Sequence, residues 1–319
     1  MKTLFLALIC SVGIPSWAQT DVTLNIQHKL GSEPFALDAA VENNLGHPFQ
    51  ATRLEYYISQ FSLVHDGGTV TDVPLEVLAL VNPGDEATTS ISLGNFDVTS
   101  VESIQFYIGV YEPENNADPT LWPEDHPLAP KSPSMHWGWA AGYRFLAYEG
   151  LSGEGFSQTF QLHGLGNDNY FRTYCDVTPE MVDGVLELNI TADYVEALRD
   201  IELSGGVISH GETGSALKAL ENFRDFVFGT QVAGIQGQED QAAFRFFPNP
   251  ADQNQEVAVQ FESIPHVSRI EVMNNLGQSI LNEMVTGSTM TFNIPDAGIY
   301  FIQIFNEEGL LARKKLVIQ

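Results

Sequence analysis

From Asp21 to about residue 229, apolar side chains recur at every second position in short runs, and clusters of Gly, Asn, Asp and Pro separate the runs. Val22, Leu24 and Ile26 alternate in this way, as do stretches within 54–63, 101–110, 143–148 and 185–190. Successive side chains of an extended chain point to opposite faces, so the pattern describes short strands joined by turns, each strand with one buried face. The fold class implied is all-β, an Ig-like β-sandwich with one or two short helices. A weak helical pattern covers 193–200. A better one covers 215–228, where Leu217, Leu220, Phe223 and Val227 fall at helical spacing and Gly229 stands where a helix would stop.

The two ends of the chain read differently from this middle. Residues 1–18 carry a cation at Lys2, an apolar run from Leu4 to Val12, a breaker at Pro15 and Ser16-Trp17-Ala18. That is the pattern of a secretory signal peptide cleaved after Ala18, and it is too short to span a bilayer. Ile9 stands where a lipoprotein signal needs a small residue, so no lipid anchor is expected on Cys10. Without the signal only Cys175 remains, and an exported chain with one cysteine rests on its core rather than on an internal disulfide. Residues 230–243 lack periodicity and are rich in Gly and Gln, as a linker is. Residues 244–319 then form a second β unit, a small sandwich with strands near 256–261, 268–273, 278–284, 289–294, 298–305 and 310–318.

Charge limits the partners. The net charge is −27, and 33 of the 41 acidic residues lie within 19–243 against 8 Lys and Arg. Such a surface repels nucleic acid and anionic membranes, so neither nucleic-acid binding nor membrane insertion is expected. An acidic surface of this kind also keeps an exported protein soluble.

The stretch Met135-His136-Trp137-Gly138-Trp139-Ala140-Ala141-Gly142-Tyr143 places two of the four tryptophans within three residues, beside a histidine and two glycines. Large aromatics are normally spread through a core, so their concentration reads as a built site. Seven of the eight histidines lie in the first unit, yet none forms His-x-His or His-Glu-x-x-His, and Cys175 is solitary. A zinc finger or ribbon is thereby excluded. A site assembled from single histidines on different strands stays open, and imidazole suits copper or zinc.

His28 shares the face of Val22, Leu24 and Ile26 and points to the core side, where a hydrogen-bonded core residue is the bland alternative. His163 closes the 156–162 strand pattern. His136 and Trp137 are adjacent and would point to opposite faces of an extended chain, whereas Trp137 and Trp139 would share one. Pro127, Pro130 and Pro133 permit a loop in which His136 bends inward. His126 lies in that proline-broken loop, and His210 precedes the second helical pattern.

Two resemblances add to this. Phe247-Pro248-Asn249-Pro250, the Asn275-Leu276-Gly277-Gln278 turn, Gly298-Ile299-Tyr300-Phe301 and the ending Arg313 to Gln319 resemble the type IX secretion C-terminal sorting domain. That implies export to the outer cell surface or beyond by the type IX secretion machinery. Leu54 to Phe61, Phe106 to Val110, Met135 to Trp139 with Gly142-Tyr143, Tyr148-Glu149-Gly150, Leu162 to Gly166 and Ala219 to Phe223 resemble, in order and spacing, the MbnP-like copper-binding domain.

This second resemblance implies one copper ion, held by histidines from separate strands and by a tryptophan that a partner dihaem peroxidase-like enzyme oxidises to kynurenine. Carried over by motif, Trp137 is the residue to be modified, with Trp139 second. His163 is the first imidazole ligand and His28 the next. His136, His126 and His210 complete the candidates, and Tyr143 supports them. The chain departs from the family pattern in placing His136 directly before Trp137. Neutral imidazole and an aniline-type nitrogen suit Cu(I), while an unmodified indole nitrogen only donates. A surface sandwich that binds carbohydrate or protein on a platform of Trp137, Trp139 and Tyr143 is the alternative. No Gly-x-Ser-x-Gly, Walker loop or metalloprotease helix is present, and a non-enzymatic role is expected.

Overall fold

The computed structural model describes residues 19–230, 244–261, 269–274, 279–285, 287–306 and 309–319. The expected signal peptide, residues 231–243 of the expected linker and the Asn275-Leu276-Gly277-Gln278 turn lie outside the described residues. Nine strands of the first unit build and position the site: β1 (Thr20–Leu30), β2 (Pro48–His65), β3 (Ser90–Phe96), β4 (Val101–Ile108), β5 (Leu146–Ser152), β6 (Gln158–Gly164), β7 (Phe171–Asp176), β8 (Val185–Asp193) and β9 (Val207–Gly211). They form the two-sheet, all-β sandwich that the alternation predicts.

In the six-stranded sheet β1 runs parallel to β8, with Val22 opposite Leu186, Leu24 opposite Leu188 and Ile26 opposite Ile190, and β3 pairs with the other side of β1. The nine-stranded sheet runs in the order β7-β4-β2-β5-β6-β9, with three short strands also paired to β2. The inward residues of the two sheets meet in one continuous apolar core that includes Val22, Leu24, Tyr56, Tyr148, Leu162 and Tyr194.

The helical pattern at 215–228 is divided in the structure. Helix α1 spans Gly214–Asn222, and a single wide, π-type turn carries Phe223–Val227. Its buried face is Ala216, Ala219, Leu220, Phe223 and Val227, so the inward stripe starts at Ala216 rather than at half-buried Leu217. Where the helix widens, the buried Asn222 amide donates to the carbonyls of Ala197 and Arg199 at 3.1 and 2.7 Å. The helix packs so closely on the end of β6 that a Cβ on Gly164 would stand 2.6 Å from Leu220 Cδ1. The weaker pattern at 193–200 yields only a 3-10 turn at Glu196–Leu198. Asp193 stands at the end of β8, where its carboxylate accepts from the backbone of Gly31 and Val195 at 2.8 and 3.1 Å and turns the chain into that single turn.

The tail has a core of its own, built from Phe244, Val257, Val259, Ile270, Val272, Ile302, Ile304 and Leu316 among others. Three strands (Arg245–Phe247, Glu256–Gln260, Thr289–Asn293) form one sheet. Four more (Ser279–Met284, Arg269–Asn274, Gly298–Asn306, Gly309–Ile318) form the second.

Candidate metal centre

The site lies on the outer face of the nine-stranded sheet, away from the sandwich core. Leu54, Tyr148 and Leu162 stand opposite one another across β2, β5 and β6 and point inward. Alternation sends their neighbours outward: Arg53 opposite Glu149, Ala147 opposite His163, and His163 opposite His210 on β9. The parallel pairing of β6 with β9 stacks the His163 and His210 rings face to face, 4.2 Å apart and 10° from parallel.

Beneath the histidines runs a string of charges. The Glu149 Oε1 accepts from His163 Nε2 at 2.9 Å and from Arg53 Nη1 at 2.8 Å, and Arg53 Nε donates to Glu55 Oε2 at 2.6 Å. The His163 contact and the Arg53 cation hold the Glu149 carboxyl down to about 2, so it stays ionised. His210, which is exposed, has its pKa lowered by partial burial and then by the neighbouring His163 and Arg144. The buried Nδ1 of His163 has no hydrogen-bond partner.

A hairpin roofs the pair. His136 bridges to Tyr143, Trp137 N–H donates to Gly142 O at 2.8 Å, and Arg144 N–H donates to Met135 O at 2.7 Å. Gly142 is required here on two grounds. Its φ is +71°, and a Cβ would lie 2.6 Å from Oδ1 of Asn115, the atom that accepts the Tyr143 N–H. Tyr143 anchors the hairpin from below, its hydroxyl donating to Leu128 O at 2.5 Å.

The Trp137 ring comes to 5.8 Å from His163 and 5.2 Å from His210 between centroids, and the Arg144 guanidinium covers it at 4.7 Å. Such a contact is worth about 0.5–2 kcal/mol depending on desolvation, and here it holds an indole that is 40% exposed.

Of the residues expected from the sequence, the structure brings together His163, Trp137 and His210. It separates the rest. His28 lies between the two sheets, buried, with Nδ1 2.6 Å from the Tyr194 hydroxyl, which in turn meets the Tyr56 hydroxyl at 2.9 Å. Tyr56 is an inward residue of β2, so the backbone layer of the nine-stranded sheet stands between His28 and His163, and the expected pairing of these two is corrected. His126 stacks on Trp122 at 4.0 Å and accepts the Leu128 N–H through Nδ1. His136 points away from Trp137, as extended alternation requires, and lies edge-on to Tyr143 at 4.8 Å. Burial lowers the pKa of both.

Trp139 does not share the Trp137 face. The turn between them, with Gly138 at φ +94°, leaves Trp139 71% exposed. Sequence patterning does not single out Arg53, Glu149 or Arg144 as site residues. Glu149 lies within the Tyr148-Glu149-Gly150 motif, but only strand register shows that it underlies His163. Among the described residues, no group of three or more His, Cys, Asp or Glu side chains is placed to hold a metal ion.

What fold and site define is a β-sandwich with two stacked imidazoles under an indole on its outer face, with a separate small β unit after it. The MbnP family model matches residues 19–210, and the chain belongs to that family. Residues 245–319 match the secretion system C-terminal sorting domain, so the type IX machinery handles the chain and delivers it to the cell surface or outside. No helix among the described residues is long and apolar enough to cross a membrane.

Among solved structures, MbnP from Methylosinus trichosporium is 14% identical over 61% of this chain and 82% of its own, with a TM-score of 0.42. A superoxide reductase (neelaredoxin) from Ignicoccus hospitalis is 16% identical over 26% of this chain and 89% of its own, with a TM-score of 0.20. PorZ, a surface component of the type IX secretion system of Porphyromonas gingivalis, is 8% identical over 90% of this chain and 45% of its own, at 0.22. No curated protein matches the chain.

Proposed function

We propose that this protein is a non-enzymatic copper carrier of the cell exterior, which holds one copper ion beside Trp137 with His163 and His210 as its imidazole ligands. Copper is the metal associated with the family. The observation that carries the assignment to this place is the convergence of Trp137 on two adjacent imidazoles, since a buried ring nitrogen without a hydrogen bond is found at His28 and His136 as well as at Nδ1 of His163. The donor types suit the ion, while the face-to-face stack sets the in-plane lone pairs of the two rings parallel, so one ring must turn for both to share it. Two neutral imidazoles suit Cu(I) or Cu(II), and partial burial with nearby cations keeps His210 from protonating readily.

Copper there would be captured or handed on at the surface. Conversion of Trp137 to kynurenine, by an external dihaem peroxidase-like enzyme, supplies the third donor, which an indole N–H cannot. The 40% exposure of the Trp137 ring leaves it open to such an enzyme. Rigid strands β6 and β9 present both imidazoles, which favours a selective site over an adaptable one.

Elemental analysis of the secreted protein tests the reading, together with mass spectrometry of the peptide holding Trp137. One equivalent of copper and the mass gain of kynurenine are expected; a protein with no copper and an unmodified Trp137 contradicts it. The exposure of Trp139 favours a second reading, a carbohydrate- or protein-binding aromatic platform, which predicts ligand-dependent quenching of tryptophan fluorescence in metal-free protein.

A further inference from the structure

The two ring nitrogens of His163 differ in their surroundings. Nε2 faces Glu149 Oε1 at 2.9 Å, and the same oxygen accepts Arg53 Nη1–H at 2.8 Å. A carboxylate oxygen that already accepts from a guanidinium has no proton to offer, so Nε2 is the donor. Nδ1 is buried and has no hydrogen-bond partner, so its lone pair is left over for a further group.

We propose that Glu149 is a positioning residue: clamped by Arg53, it fixes His163 in the Nε2–H tautomer and so selects Nδ1 as the nitrogen presented to the metal. This rests on the reading of His163 as a copper ligand. Three further features support the clamp. Arg53 is itself tied by Nε to Glu55 at 2.6 Å and touches the Met135 sulfur at 3.3 Å, which connects the charge string to the Trp137 hairpin. The opposing Glu149 and Arg53 stand in register on neighbouring strands, so the clamp is built on sheet rather than on loop.

The test is nitrogen-15 NMR of histidine-labelled, metal-free protein above neutral pH, with copper titrations of the same samples. The wild type is expected to show His163 protonated on Nε2, with that proton slow to exchange. Glu149→Leu is expected to show mixed tautomers, a fast-exchanging proton and copper affinity weakened about 10–100-fold. A proton on Nδ1 in the wild type overturns the proposal even if no variant folds. So does a Glu149→Leu protein that keeps the wild-type tautomer and affinity. Failure of the underlying reading looks different: the wild type then shows the Nε2–H tautomer and has no saturable copper site.

Discussion

His28 and His163 are both buried histidines near the ends of strands, and their surroundings give them opposite roles. His28 faces apolar core and the Tyr194 hydroxyl, and burial lowers its pKa from 6.5 to about 4. The unfolded chain takes up that proton below about pH 6.5 and the folded chain only near pH 4. His28 therefore adds stability that is complete above pH 6.5 and lost as pH falls, about 3 kcal/mol by pH 4. Urea denaturation of metal-free wild type and His28→Leu between pH 7 and pH 4 should show that much more acid sensitivity in the wild type; equal slopes would contradict it. The inward direction of His28 was legible in the sequence, since it continues the Val22, Leu24, Ile26 face. Its separation from His163 was not. Period-two alternation tells which face of a strand a residue occupies, and it does not tell which sheet, or which side of that sheet, holds another strand's histidine.

At the level of elements, the hairpin from Met135 to Arg144 decides whether Trp137 reaches the histidines. Gly142→Ala puts a Cβ against Asn115 at a positive φ, which should cost about 1–3 kcal/mol and loosen the hairpin. Thermal unfolding and the Trp137 ring-current shifts on His163 and His210 measure both effects. An unchanged melting temperature with unchanged shifts would show that the hairpin does not depend on this glycine. The sequence showed this segment's richness in Trp, Gly and His, and hence a built site. It left strand and loop open, because two glycines with positive φ reverse the chain between Trp137 and Tyr143 and break the shared face that a straight strand would give. The same limit applies to the helix: apolar spacing over 215–228 marked a buried stripe, while the wide turn begins where the Asn222 side chain bonds the distant Ala197 and Arg199 carbonyls, contacts that local spacing does not encode.

The whole molecule consists of two β units with separate apolar cores. The first carries the imidazole pair and the second the export address, a division already visible in the sequence as a change of charge and a change of motif. Removal of residues 244–319 should therefore leave the first unit folded while cell fractionation finds it retained inside the outer membrane; delivery to the surface without the tail would contradict the sorting role. Strand positions in both units were legible because alternation is a local signal. The pairing of β6 with β9 is long-range, and it is what brings His210 beside His163. The central claim, that copper is held at this outer-face pair, is tested most directly by titrating copper into four proteins: wild type, His163→Ala, His210→Ala and His28→Leu. One saturable equivalent is expected in the wild type and in His28→Leu, and its loss in both of the others. Saturable binding that survives without His163 and His210, or that disappears with His28, would contradict the claim.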